Sequence, residues 1–402
     1  MRILMVNKFL YPRGGSESYM LYLAEYLKKI GHEIEYFGMY DENNTVGNSK
    51  GLYTKNMDFH SKGLARFLYP FKIIYSFEAK KKITQVIDDF KPDIVHMNNI
   101  NFQLTPSIIY GIKKKKIPLV QTVHDYQMIC PNHLLYNFDK NIPCEKCVKG
   151  SHMNCIKNKC IHGSGVKSVI GAIEAKLYSW IETYKKVDLY ICPSYFLENK
   201  LLSAKGYYKG KTKTIHNFIN KEKFSNNQRK EEDYIAFIGR FSKEKGIENL
   251  AGAAKLLPQY NFIAAGSGPD EGMLKGIENI RLTGFLTGDR LTELMGNAKV
   301  MILPSVWYEN CPISILEAHC MGVPVMAMNS GGMAELIKDG VTGTLIDDPS
   351  PEGIALKLRE TLENEEYYSN LRENCKKEKD NILSVEDYAE ILIKEYQKLI
   401  AR

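Results

Sequence analysis

The second half of the chain alternates short apolar runs with stretches whose apolar residues recur at helical spacing. Most of the apolar runs are followed by a turn that contains glycine or proline. Strand–helix alternation of this kind predicts a parallel sheet that is covered by helices on both faces. The predicted strands are residues 234–238, 262–265, 280–282, 300–303, 323–328 and 344–346.

The first half of the chain begins on the same plan. Residues 2–7 predict a buried strand, and a loop with Gly14 and Gly15 follows it. Apolar residues from Tyr19 to Ile30 then recur on one face of a predicted helix. Such a turn can present backbone N–H groups to a phosphate, although an ordinary strand–helix turn has the same pattern.

The length of 402 residues is too great for one compact core and suits two domains. We therefore expect two doubly wound α/β domains, with a boundary near residue 200. Since no apolar run is long enough to span a membrane and the N-terminus lacks a secretory signal, we expect a cytoplasmic protein.

Charge is distributed unevenly along the chain. Residues 1–200 hold 28 Lys and Arg against 18 Asp and Glu, whereas the remainder holds 26 against 29. The basic half indicates an anionic partner, such as a membrane surface or a phosphorylated acceptor, or else a solvated surface with scattered lysines. Nucleic acid is not expected, because no recognition motif accompanies the charge.

Residues 300–324 combine a strand end with two carboxylates. Glu309 and Asn310 lie on the loop after the predicted strand, Pro312 suits the start of a helix, and Glu317 lies on that helix. In parallel sheets, ligands bind beyond the carboxyl ends of the strands. This placement predicts a pocket lip, although two glutamates at this spacing are also common on solvated surfaces.

The same stretch reads P-S-x3-E-N-x-P-x4-E-A-x3-G-x-P-V. It resembles the carboxyl-terminal signature of retaining glycosyltransferases of the GT-B fold, family four. The resemblance implies two Rossmann-like domains that face across a cleft. It assigns residues 1–200 and a crossover helix at 385–402 to the acceptor-side domain, and residues 201–384 to the nucleotide-sugar domain.

The resemblance also implies roles for single residues. Glu317 would bind the ribose of the donor, and Glu309 would bind a sugar hydroxyl, helped by the N–H groups of Asn310 and Cys311. The loop Gly-Arg-x4-Lys-Gly places Arg240 and Lys245 on the departing diphosphate. Their guanidinium and ammonium groups would stabilise its developing charge.

In the first half, the resemblance implies that Gly14 and Gly15 face the donor diphosphate and that His124 contacts the donor sugar. His124 ends an apolar strand, which by itself predicts a position near the sheet edge that carries the glycine loop. No Asp-x-Asp pair follows a predicted strand, which favours catalysis without a metal cofactor.

Five of the nine cysteines cluster between residues 130 and 162, near three histidines. Such clustering in a cytoplasmic chain favours metal over disulfide, and a structural zinc would fold this polar insertion. Redox-active thiols and unligated cysteines are the alternatives. The candidate ligands are Cys130, Cys144, Cys147, Cys155 and Cys160.

Residues 64–77 are aromatic and lie between basic residues. A core helix or acceptor groove is the preferred interpretation, and a peripheral membrane contact through Phe67 and Phe71 is the alternative.

The resemblance therefore implies a hexosyltransferase. It would use a UDP- or GDP-sugar and a glycan or lipid-linked acceptor, in polysaccharide assembly at the inner face of a membrane. The alternatives are an epimerase or phosphorylase of the same fold, or a catalytically idle homologue that binds protein or membrane.

Overall fold

The computed structural model describes residues 1–56, 72–224 and 230–402. Phe67 and Phe71 of the aromatic segment lie outside these residues. The described chain forms two compact units. The first unit contains Met1–Leu135, Cys144–Asn217 and Val385–Arg402, and the second contains Tyr136–Pro143 and Phe218–Ser384.

The strands are short and mostly buried. They are β1 (Arg2–Val6), β2 (Glu33–Phe37), β3 (Ile94–Met97), β4 (Leu119–Thr122), β5 (Tyr136–Asn137), β6 (Ile142–Pro143), β7 (Leu189–Cys192), β8 (Thr212–Thr214), β9 (Ile235–Ile238), β10 (Phe262–Ala265), β11 (Ile280–Gly284), β12 (Val300–Leu303), β13 (Val325–Met328) and β14 (Gly343–Ile346).

The α-helices alternate with these strands. They are α1 (Gly15–Lys29), α2 (Phe77–Phe90), α3 (Ser107–Lys114), α4 (Met153–Lys157), α5 (Gly165–Trp180), α6 (Tyr195–Ala204), α7 (Ile247–Leu256), α8 (Gly288–Asn297), α9 (Ile313–Cys320), α10 (Met333–Leu336), α11 (Pro351–Glu363), α12 (Glu365–Glu378) and α13 (Val385–Ile400).

The first unit is built on a six-stranded parallel sheet in the order β2-β1-β3-β4-β7-β8. The central strands β3, β4 and β7 are buried along their whole length, as expected for a sheet that is covered on both faces. The first unit extends beyond the expected boundary at residue 200, because β8 pairs with β7 and completes this sheet.

The last helix, α13, packs on α1 within the first unit. Two buried tyrosines of α13 form hydrogen bonds with side chains of the first unit. Tyr388 shares one of 2.6 Å with Tyr19, and Tyr396 shares one of 2.5 Å with Nδ1 of His96. Nε2 of His96 contacts Thr122 at 2.7 Å, so His96 is a satisfied buried residue.

The second unit contains a parallel sheet in the order β11-β10-β9-β12-β13-β14. The chain runs outward from β9 to β11, and then returns to place β12 on the other side of β9. The position where β9 and β12 lie side by side is therefore the topological switch point. In sheets of this kind, ligands bind at the carboxyl end of that position. The prediction of doubly wound α/β domains is confirmed for each unit.

Among the residues that the structure describes, no helix combines the length and the apolar character needed to cross a membrane.

Candidate functional site

The switch point of the second unit brings two predicted site residues into contact. Lys245 follows β9 and Glu309 follows β12, and the Nζ–Oε1 distance between them is 2.5 Å. The hydroxyl of Ser305 donates a second hydrogen bond to the same Oε1 atom at 3.0 Å. Glu309 is only 9% exposed, so its carboxylate is held in a fixed position by two donors.

Trp307 lies beside this pair. The Nζ atom of Lys245 is 5.0 Å from the centroid of the indole ring, which is within the range of a cation–π contact. Ser305 is the serine of the P-S-x3-E motif, although no role was predicted for it from the sequence. Trp307 is marked by no spacing, and its only signal is its closeness to the end of β12.

Close backbone contact fixes the two loops against each other. Gly246 has a φ of +72°, and a Cβ atom there would lie 1.9 Å from the carbonyl oxygen of Pro304. The N–H of Val306 donates to the carbonyl of Glu244 at 3.0 Å. Only glycine fits at position 246, because any side chain would push the β9 loop away from β12.

A third loop, which follows β13, contacts the backbone of Glu309. The N–H of Gly332 donates to the carbonyl oxygen of Glu309 at 2.7 Å, and a Cβ atom on Gly331 would lie 2.5 Å from that oxygen. Loops from β9, β12 and β13 therefore meet at Glu309.

Arg240 lies on the β9 loop with an exposed side chain. Within the described ranges its guanidinium forms no ion pair. Arg240 and Lys245 thus supply one exposed and one anchored cation from a single loop.

Asn310 and Cys311 directly precede the short helix α9, whose N-cap is Pro312. Asn310 is half-buried and Cys311 is buried. Glu317 lies on α9 and is half-buried, and burial raises its pKa to about 7, with Lys223 acting in the opposite direction. Glu317 is therefore divided between its acidic and ionised forms near neutral pH.

In the first unit, His124 follows β4. Its Nε2 atom is 2.9 Å from Oδ1 of Asn98, and its ring packs edge-on against Tyr19 with centroids 5.1 Å apart. Burial lowers the pKa of His124 to about 3, so the imidazole is neutral. Gly14 and Gly15 are exposed at the start of α1, where Gly14 is the N-cap.

The structural zinc predicted in the cysteine segment stays a prediction. Over the described ranges, no group of three or more His, Cys, Asp or Glu side chains could hold a metal ion. Instead, Cys147, Cys155 and Cys160 pack with Ala172 as a small buried cluster, Cys130 is buried, and Cys144 is half-buried. Burial raises the pKa of Cys130 to about 12, which favours the thiol.

Known protein families match nearly the whole chain. A model described as Glycosyltransferase Family 4 matches residues 13–223, and one described as Glycosyl transferases group 1 matches residues 218–378. An uncharacterized 42.6 kDa protein in the cps region of Klebsiella pneumoniae is 28% identical over 84% of this chain and 87% of that protein. An uncharacterized glycosyltransferase of Methanocaldococcus jannaschii is 26% identical over 94% of this chain and 93% of that protein.

Solved structures have the same fold at low sequence identity. Sucrose-phosphate synthase from Thermosynechococcus elongatus superposes with a TM-score of 0.73 at 16% identity, covering 100% of this chain and 99% of that chain. HepE from Anabaena, in complex with UDP and glucose, superposes with a TM-score of 0.70 at 17% identity, covering 99% of this chain and 100% of that chain.

Proposed function

Since this chain is a glycosyltransferase that belongs to family 4, we propose that it transfers a hexosyl unit with retention of anomeric configuration. The donor is a UDP- or GDP-sugar, and the acceptor is a hydroxyl of a glycan or a lipid-linked saccharide. The contact between Lys245 and Glu309 at the switch point carries this proposal. The family relationship and the UDP-glucose complex of HepE support the donor class.

The β9 loop binds the diphosphate of the donor. One N–H of the Lys245 ammonium is directed to Glu309, which leaves two donors for phosphate oxygens. The exposed guanidinium of Arg240 adds a planar fork that suits a second pair of oxygens. As the sugar–phosphate bond breaks, these fixed charges stabilise the leaving group.

Residues around α9 hold the rest of the donor. Glu309 accepts a hydrogen bond from a sugar hydroxyl through Oε2, because Oε1 already accepts from Lys245 and Ser305. Backbone N–H groups of Asn310 and Cys311 contact the sugar, and Glu317 accepts from the ribose.

Retention of configuration follows from attack on the face of the leaving group. The acceptor oxygen forms its bond to the anomeric carbon as the phosphate departs, and a phosphate oxygen takes the acceptor proton. We assign no covalent nucleophile, because attack on the face of the leaving group needs none. The family resemblance implies that His124 contacts the donor sugar and that Gly14 and Gly15 face the diphosphate, and both roles stay predictions.

The cationic loop performs the charge neutralisation that a metal ion performs in other glycosyltransferases. We expect excess chelator to change turnover by less than about twofold, because Arg240 and Lys245 already supply two positive charges. The measurement is the initial rate with EDTA, and with Mg²⁺ or Mn²⁺ added back. A loss of activity that the added cation restores would contradict this assignment.

Donor affinity should depend on pH through Glu317. The folded protein holds this carboxyl with its pKa raised from 4.5 to about 7, so the stability gained from its protonated form is complete below pH 4.5 and is lost as the pH rises through 7. The ionised form is the stronger acceptor for a ribose hydroxyl. We therefore expect the affinity for a nucleotide sugar to rise about three- to tenfold between pH 6 and pH 8.

Calorimetry with an intact nucleotide sugar measures this effect, because its diphosphate does not titrate near pH 7. Glu317→Gln should bind more weakly with a flat pH profile, whereas the exposed Glu248→Gln should retain the wild-type profile. A pH-independent affinity in the wild-type protein would refute the role of Glu317.

Product analysis tests the reaction itself. Thermal-shift screening against UDP- and GDP-sugars identifies the donor, and NMR of the product formed with saccharide acceptors reports the anomeric configuration. Donor consumption without any acceptor would indicate an epimerase, and a requirement for free phosphate would indicate a phosphorylase. The family resemblance further implies a role in cell-surface polysaccharide assembly at the inner face of a membrane, and one relative is an uncharacterized protein in the cps region of Klebsiella pneumoniae.

A further inference from the structure

A second group of polar and aromatic side chains lies beyond the carboxyl ends of β1, β3 and β4 in the first unit. Lys8 and Phe9 follow β1, Phe102 follows β3, and Asp125 and His133 follow β4. The backbone N–H of Lys8 donates to a carbonyl of the β3 loop at 2.8 Å, which ties the first two loops together. We call these five residues the Lys8 cluster.

Aromatic rings surround the ammonium group of Lys8. Its Nζ atom is 4.9 Å from the centroid of Phe9 and 5.2 Å from that of Phe102. The ring of Phe102 stacks in turn on His133, with centroids 5.3 Å apart and an interplanar angle of 25°. The cation is thus held in place by ring faces rather than by a carboxylate.

Two members of the Lys8 cluster have strained backbones. Phe102 has a φ of +62° and His133 a φ of +65°, a region that costs residues with a side chain about 1–2 kcal/mol each. Both strained residues contribute to the same stacked pair. Strain of this kind persists where the surrounding structure holds a side chain in a functional position.

The ammonium of Lys8 has no oxygen acceptor in the ligand-free protein. In the part of the chain that the structure describes, its Nζ atom forms neither a hydrogen bond nor an ion pair. The nearby carboxylate of Asp125 instead accepts from the N–H of Gln127 at 2.9 Å and from Nδ2 of Asn101 at 3.1 Å. The three N–H donors of Lys8 therefore remain available to a ligand.

A second cation shares the ring of Phe9. The guanidinium carbon of Arg13 is 4.2 Å from the ring centroid. Burial and the charge of Arg13 lower the pKa of Lys8 to about 8, although Glu17 and Asp125 act in the opposite direction. An anionic group that is bound here would relieve this repulsion and raise the pKa of Lys8.

We propose that the Lys8 cluster, together with Arg13, binds the acceptor through an anionic group on its sugar, either a carboxylate or a phosphate. Lys8 and Arg13 donate to the anionic oxygens, the rings of Phe9 and Phe102 pack against the apolar face of the sugar, and Asp125 accepts from a hydroxyl. This inference rests on the proposed transferase function, since it names the class of acceptor. The excess of basic residues in the first half of the chain agrees with it.

Direct binding to the full-length protein tests the proposal without turnover. The probes are a methyl hexuronoside, a methyl hexoside 6-phosphate and the neutral methyl hexoside, each titrated by NMR with UDP present to occupy the donor site. We expect at least one anionic probe to bind about tenfold more tightly than the neutral one. The two anionic arms distinguish the carboxylate from the phosphate.

A matched pair of variants locates the binding. Lys8→Met should weaken the anionic probe about tenfold and leave the affinity for a nucleotide sugar unchanged. Lys28→Met is the control, because its Nζ atom lies 4.8 Å from the ring of Tyr36 and forms the same type of contact elsewhere in the unit. Equal loss in both variants would contradict the proposal.

Two further outcomes would overturn it. One is equal affinity for neutral and anionic probes, and the other is no binding of any anionic probe up to about 10 mM. Either result could be accompanied by normal donor binding and retained transferase activity, which would leave the proposed function standing. If the wild-type protein bound no nucleotide sugar, that result would instead contradict the proposed function.

Discussion

Replacing Lys245 with Met is expected to lower kcat/KM by at least about tenfold, which corresponds to about 1.4 kcal/mol of transition-state stabilisation. The substitution removes the cation that faces the departing diphosphate. It also leaves Glu309 buried with Ser305 as a donor but without its positive partner. Since the charge on the leaving group develops as the bond breaks, most of the loss should appear in kcat.

Lys243→Met is the matched control for this variant. Lys243 lies on the same turn after β9 and its side chain is exposed. We expect its rate to stay within about twofold of the wild-type rate. Turnover at the wild-type rate in Lys245→Met would contradict the proposed donor site.

A double-mutant cycle then tests whether the two residues act as a unit. Glu309→Gln alone should lower turnover at least about tenfold, and the double variant should be less impaired than the product of the two single effects. Thermal unfolding should show the same pattern, because removal of both charges avoids leaving one buried charge unpaired. Strict additivity would show that the contact is not used in the reaction.

Replacing Gly246 with Ala should produce the largest structural effect among the predicted variants. The new Cβ atom would lie 1.9 Å from the carbonyl oxygen of Pro304, and the φ of +72° would be strained as well. We expect a loss of about 3 kcal/mol or more and a fall in activity of at least about tenfold, since the β9 loop must move away from β12. Thermal unfolding and initial rates measure the two effects.

The variant Gly276→Ala separates the effect of backbone strain from the effect of atomic overlap. Gly276 has a φ of +77°, but a Cβ atom there meets nothing within 4 Å. We expect about 1 kcal/mol of destabilisation and normal activity. If both glycine variants lose the same stability and the same activity, then contact with Pro304 does not position Lys245.

The local sequence pattern was sufficient to predict most helices and strands of the second unit. The apolar run at 300–303 predicted β12 with its observed bounds, and Pro312 marked the start of α9. The strand predicted at 323–328 begins two residues later, at Val325, because Pro324 cannot donate to the ladder. The domain boundary was harder to predict from the sequence, since the pairing of β8 with β7 depends on tertiary contact.

The sequence pattern says least about the cysteine segment at residues 130–162. Clustering in the sequence favoured ligation of a metal, which stays a prediction, and among the described residues no group of three or more His, Cys, Asp or Glu side chains could hold a metal ion. Three of these sulfurs instead form an apolar cluster with Ala172. Spacing specifies which cysteines are near one another along the chain, whereas ligation depends on the directions of their side chains in the fold.

By itself the sequence determined the two doubly wound sheets and the family, because apolar periodicity and a long motif are properties of neighbouring residues. Only the tertiary structure decided that Lys245 donates to Glu309, and that Lys8 lies between Phe9 and Phe102 without an acceptor. Lys245 and Glu309 come from different loops, as do Lys8 and Phe102. They meet because parallel strands place their carboxyl ends along one edge of a sheet.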